Sequence, residues 1–212
     1  MKRNWFALAA GVLMFSTVAS SMSSPWWRAE IGSGLITVNV DPFFTSFKVL
    51  GVTHVVPIIF ALNVGLIALF VASGIALIIY TIKPDKGYSK HLLSFGWKRP
   101  LHVTAGFFVT LALSLYVTPL AVNAIAHDFE VPTPIVPLMG SSTIHLSNNI
   151  FNIPAQVSVT VMTTFTLSFF LGVATVALSI AARAYSRRTP GVNKPTKVET
   201  LGSTKLSSPE TT

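Results

Sequence analysis

Four long apolar runs dominate the chain, and none of them contains Asp, Glu, Lys or Arg. A helix needs about 20 residues to cross the apolar core of a bilayer, so each run is long enough or nearly so. The pattern predicts an all-α integral membrane protein, a four-transmembrane-helix bundle. The predicted spans cover residues 5–24, 53–82, 101–126 and 154–183.

Between the first two spans, in a loop over 25–50, the pattern changes to one that is typical of β-strands. From Leu35 to Val40 every second residue is apolar on one face. Gly32-Ser33-Gly34 before this segment and Asp41-Pro42 after it are turn-forming residues. Phe43 to Leu50 can supply a second strand. The sequence therefore predicts a small extracellular β-hairpin after the first helix.

The remaining connections predict no further regular structure. The loop over 127–153 contains Pro132, Pro134 and Pro137, which favour an extended cap over a helix. The loop over 83–100 is basic and predicts a cytoplasmic connector. The tail over 189–212 is rich in Ser, Thr, Pro and Lys, so it predicts a disordered cytoplasmic segment. One four-span membrane domain would then occupy residues 1–188.

The basic residues predict an orientation for these spans. Thirteen of the fifteen Lys and Arg residues lie before the first run, between the second and third, or after the fourth. Short basic loops stay in the cytoplasm, so both termini are predicted inside and the other two loops outside a multi-pass protein of the plasma membrane. The net charge of +8 then reflects contact with lipid head groups, and nucleic acid is not a predicted partner.

The first apolar run admits a second interpretation. Lys2-Arg3 before it and Ala19-Ser20-Ser21 near its end are also typical of a cleaved secretory signal peptide. Trp5 at one end and Trp26-Trp27 at the other favour a retained span, because tryptophans mark the two interfaces of a bilayer. We therefore expect the segment to remain as a span, and the downstream orientation is the same in both cases.

Small residues at every fourth position predict where the helices pack. In the third run Gly106, Thr110 and Ser114 form such a stripe, while Gly65 lies in the second run and Gly172 in the fourth. Small residues let helices approach closely in lipid, so these positions predict a packing seam. The same stripe could line a small uncoupled pore or facilitator. Coupled transport is not predicted, because none of the apolar runs contains a charged residue.

The histidines are the residues that could bind a cofactor. His54, His127 and His145 are all predicted near the outer face, and imidazoles are ligands of haem iron, zinc and copper. Their spacing matches no short metal motif, so no bound cofactor is predicted. The alternative is a membrane-anchor subunit of a respiratory or redox complex, in which these histidines hold a haem, metal or quinone.

The first external loop, which opens with Trp26-Trp27 and continues into strands, completes a plan that resembles claudin-like tetraspan proteins. The resemblance covers the topology of the whole chain and rests on no sequence motif. That family's first loop carries a tryptophan-glycine-leucine-tryptophan segment and two cysteines, whereas this chain has no cysteine. No residue role is therefore carried over.

The function predicted from these patterns is that of a prokaryotic structural or accessory subunit of a larger membrane assembly. It would bind lipids, other subunits or a second copy of itself through its helix faces and external loops. The sequence contains no Ser-His-Asp order and no phosphate-binding glycine loop, which argues against an enzyme.

Overall fold

The computed structural model describes residues 3–126, 136–150 and 153–188, which form four helices and six strands. The helices are α1 (Trp5–Ser21), α2 (Pro57–Ile82), α3 (Ser89–Ala126) and α4 (Leu167–Arg188). The strands are β1 (Trp27–Ile31), β2 (Ile36–Val40), β3 (Ser46–Val49), β4 (Val52–His54), β5 (Gly140–Ile150) and β6 (Ile153–Phe165). The predicted tail over 189–212, His127, Pro132 and Pro134 lie outside the described residues.

All six strands join one antiparallel sheet in the order β4-β3-β2-β1-β6-β5. Strands β1 to β4 connect α1 to α2, and β5 and β6 connect α3 to α4. The two groups meet where β1 pairs with β6, with Trp27 opposite Phe165. The prediction of an all-α four-span bundle with only a small hairpin is therefore wrong, although the predicted β2–β3 hairpin exists as part of this larger sheet.

Strand β6 is the main reason for this correction. The predicted fourth span includes residues 154–165 because they are uncharged, but polar and apolar residues alternate from Gln156 to Val161, with Val157, Val159 and Val161 on one face. β-Branched residues favour strands over helices, and in the sheet the Thr163 hydroxyl donates to the Pro137 carbonyl at 2.9 Å. Helix α4 therefore begins at Leu167 rather than at residue 154.

The helices also differ from the predicted four spans. Among the described residues, only α2 and α4 are long and apolar enough to cross a membrane, as judged by length and composition, and α1 has 17 residues. Helix α3 begins at Ser89, so it includes most of the predicted cytoplasmic loop over 83–100. Pro100 does not end this helix, although it lacks the N–H group that would bond the Gly96 carbonyl.

Helix α1 packs against α2 and α4, and α3 contacts the same two helices, so the four helices form a ring of neighbours. Its first turn is capped by Asn4, whose Oδ1 accepts from the Ala7 amide at 3.2 Å while its Nδ2 donates to the Ala182 carbonyl at 2.9 Å. Further along, the Thr17 and Thr175 hydroxyls bond each other at 3.1 Å. These contacts set α1 antiparallel to α4, with the start of α1 beside the end of α4.

An aromatic cluster around Trp26 joins the base of the sheet to the helices. The Trp26 side chain is fully buried, and its ring centroid lies 5.8 Å from that of Phe43, 5.1 Å from Phe107 and 6.1 Å from Phe169. All three contacts are edge-to-face, an arrangement that stabilises aromatic pairs. Since β1 follows Trp26 directly, this cluster fixes how the sheet sits on the helical layer.

Candidate interaction surfaces

The sheet separates the histidines that were candidates for an outer cofactor site. His54 ends β4 opposite Phe47, whereas His145 lies on β5 opposite Ser158. Strands β4 and β5 are the two edges of the sheet, so at about 4.8 Å per strand the two histidines lie at least about 24 Å apart. His127 is outside the described residues. Within the described residues no three His, Asp or Glu side chains gather closely enough to hold a metal.

The five residues of the predicted packing seam do not come together. Gly172 lies in close contact, because a Cβ at this position would overlap the Trp26 ring. A Cβ on Gly65 or Gly106 would meet nothing within 4 Å, and Thr110 and Ser114 are exposed.

Other glycines make the close helix contacts. A Cβ on Gly11 would lie 2.9 Å from the Gly74 carbonyl oxygen, so the backbones of α1 and α2 touch at this crossing. A Cβ on Gly96 would overlap the Leu77 side chain and lie 3.3 Å from the Ser73 carbonyl oxygen. Helix α3 therefore packs tightly against α2 at Gly96, about three turns before the predicted stripe begins at Gly106.

A buried carboxylate organises the base of the sheet. Asp41 is 2% exposed, and its two oxygens accept hydrogen bonds from the amides of Trp26 at 3.0 Å, Phe43 at 2.7 Å and Phe44 at 3.2 Å. Burial removes the carboxylate from water and raises the pKa of Asp41 to about 6, against the opposing effect of these hydrogen bonds and one from Ser21. Asp41 thereby ties the β2–β3 turn to the segment between α1 and β1.

The opposite end of the first four strands carries exposed apolar side chains. We define the hairpin tip as Leu35, Ile36, Val49, Leu50 and Val52, which are between 37% and 73% exposed. The two turns that form it are joined by a hydrogen bond from the Leu50 amide to the Leu35 carbonyl at 2.8 Å. Because β1 and β3 both run away from the Trp26 cluster, the hairpin tip lies at the far side of these strands from the helices.

The backbone of the hairpin tip is strained at its most exposed residue. Leu50 has φ of +48° and Gly51 has φ of +86°, so both occupy the left-handed region that a tight hairpin turn requires. Glycine adopts this conformation freely, whereas a leucine there costs about 1–2 kcal/mol. The turn therefore keeps a 73% exposed leucine in a position where a polar Asn would be favoured.

A basic groove lies on the other side of the molecule, on the first half of α3. We define the α3 groove as the cavity of about 510 Å³ lined by His91, Ser94, Phe95, Lys98, Arg99 and His102. Sequence reasoning assigned most of these residues to a connecting loop. The available signal was the spacing of His91, Phe95, Lys98 and His102, which places them on one face once the segment is helical.

Comparison of the chain with family models, with curated proteins and with solved structures finds no match in any of the three. The resemblance to the plan of claudin-like proteins thus gains no support from a known protein. The hairpin tip and the α3 groove remain as the two features from which a function can be argued.

Proposed function

We propose that this protein is an accessory subunit embedded in a cell membrane, and that it binds a partner protein through the hairpin tip. Helices α2 and α4 have the length and apolar composition to cross a bilayer. Their outer surfaces include large exposed side chains such as Ile58, Leu62 and Phe170, which lipid would cover. At the ends away from the sheet lie Lys83, Arg187 and Arg188, which would face the cytoplasm.

The observation that carries the proposal is the exposed, strained Leu50. Lipid can cover apolar side chains on the helices, but the hairpin tip lies on the far side of the sheet, where it meets water. An apolar patch in water favours burial against another protein. The strained backbone at Leu50 also supports binding to another protein. If stability alone determined this position, a residue that tolerates positive φ would be favoured over leucine.

The substitution Leu50→Asn separates binding from folding. Asparagine tolerates the positive φ of this position, so we expect the free energy of unfolding to stay equal or rise by about 1 kcal/mol. We expect the same substitution to abolish recovery of the partner, since it replaces the most exposed apolar side chain of the hairpin tip by an amide. The measurement is cross-linking of tagged protein in its native membrane, followed by quantification of the cross-linked species.

Thr53→Asn is the matched control, because Thr53 is exposed on the neighbouring strand and is not part of the hairpin tip. The parent and this control should give one cross-linked species in constant ratio to the tagged chain. Equal recovery by the Leu50→Asn variant, or no cross-linked species with the parent, would refute binding through the hairpin tip.

A further inference from the structure

Two side chains of the α3 groove are held in place by local contacts. The Arg99 guanidinium carbon lies 5.4 Å from the centroid of the Phe95 ring, within the range of a cation–π contact. His102 Nδ1 is 2.6 Å from the Lys98 carbonyl oxygen. Because a carbonyl only accepts, Nδ1 carries the proton, and Nε2 is the nitrogen left for a ligand.

The α3 groove lacks a counter-charge of its own. Its lining contains Lys98, Arg99 and two histidines but no carboxylate. Among the residues that the structure describes, the one salt bridge joins Arg28 to Glu30, on the sheet. A cationic groove without an acidic partner favours an anion, and a planar guanidinium beside an ammonium group suits the oxygens of phosphate.

The position of the α3 groove along the helices strengthens its preference for an anion. Gly96 lies against Leu77, and α2 continues from Leu77 to Ile82. Leu77 is five residues before the end of α2, and Lys98 is two residues further toward the sheet than Gly96. At 1.5 Å per residue, Lys98 therefore lies about 10 Å from the end of α2 in the direction of the sheet. In a membrane, cations at such a level are costly unless they bind an anion or reach the surface.

We infer that the α3 groove binds a phosphate group, with Lys98 and Arg99 as the main ligands and Ser94 as a hydroxyl donor. The expected source of this phosphate group is the head group of an anionic phospholipid, and in that respect the inference rests on the proposed membrane location. Free phosphate shares the same chemistry. The open groove of about 510 Å³ has room for a phosphate group, and the Phe95 ring supplies an apolar wall.

The test uses the full chain in detergent, titrated separately with a short-chain phosphatidic acid, the matching uncharged diacylglycerol and inorganic phosphate. The readout is the dissociation constant, measured by calorimetry. We expect the parent to bind phosphatidic acid and not diacylglycerol. The double substitution Lys98→Gln with Arg99→Gln should weaken this binding about tenfold or more, because it removes both charged donors.

A charge-matched control decides whether the groove or the general basic charge is responsible. Lys86→Gln with Lys90→Gln removes the same two charges from exposed residues that do not line the groove. Binding by this control should stay within about threefold of the parent, since exposed charges contribute weakly. If the double groove variant does not fold, which its melting temperature reports, Lys98→Gln alone serves the same comparison.

Each outcome has a defined meaning. Binding of phosphatidic acid alone supports the inference with a lipid source, and equal binding of inorganic phosphate supports it with a soluble source. Equal loss in both double variants, or equal binding of diacylglycerol, overturns it. An alkaline carbonate wash tests the membrane location separately, because a chain released by the wash refutes the proposed function while leaving phosphate binding to be measured.

Discussion

At the scale of single residues, Asp41 makes the strongest prediction about pH. Its pKa is raised to about 6, so between about pH 4 and pH 6 the folded chain retains a proton that the unfolded chain releases. The stabilising contribution of the protonated form is fully present below about pH 4 and is lost as the pH rises through 6. From pH 4.5 to pH 7.5 we expect the parent to lose about 2 kcal/mol of unfolding free energy through this group.

Asp41→Asn removes this titration while retaining the shape of the side chain. Unfolding by urea at the two pH values measures the effect as a difference between the parent and the variant, so other titrating groups cancel. If both proteins show the same change between pH 4.5 and pH 7.5, Asp41 does not titrate in this range.

At the scale of elements, the crossing of α1 and α2 should not tolerate a larger side chain in place of its glycines. Gly11→Leu forces a side chain against the Gly74 backbone and the Ile78 side chain. We expect it to cost at least about 3 kcal/mol or to prevent folding, because one partner in the contact is backbone and cannot rotate away. Gly106→Leu is the matched control, since a Cβ added there meets nothing within 4 Å.

The two variants are compared by yield and melting temperature in the same detergent. The parent and Gly106→Leu should be indistinguishable within about 0.5 kcal/mol. Equal damage from both variants would show that the face of α3 around Gly106 is buried against something, as the predicted seam required.

The elements also show what the sequence could and could not predict. The turn at Gly32-Ser33-Gly34 and the strand after it were predictable, because turn residues and period-two alternation coincide there. Strand β6 was missed because an uncharged run fits both a span and a buried strand, and only its β-branched alternation distinguishes the two. The predicted third span begins too late because the basic residues of 83–100 indicate a cytoplasmic connector, whereas α3 begins at Ser89.

The candidate surfaces were less predictable than the elements. Leu50 is apolar and ends a strand-like segment, so the sequence gives no sign that it is exposed until the pairing of β2 with β3 and of β3 with β4 is known. The α3 groove depends likewise on residues 89–100 being helical. Both surfaces follow from tertiary or helical geometry rather than from residue type.

At the scale of the whole molecule, the proposed orientation can be tested with cysteine labelling. The chain contains no cysteine, so each introduced cysteine reports on one site. With a membrane-impermeant maleimide on intact cells, we expect Thr53→Cys to be labelled and Lys86→Cys to be labelled only after permeabilisation. Labelling in the reverse order would show that the orientation is opposite to the proposed one. Recovery of the chain in the soluble fraction would refute the membrane location.

The pairing of β1 with β6 affects how the chain is made. Residue 27 lies opposite residue 165, so most of the chain must be synthesised before this pair can form. At typical rates the interval is on the order of 10 s. Closing so long a loop costs about 2 kcal/mol more than closing a ten-residue hairpin.

Until β6 arrives, β1 is an unpaired edge of a four-stranded sheet, and such edges pair readily with other chains. Synthesis that stalls before Phe165 therefore leaves a product prone to aggregate.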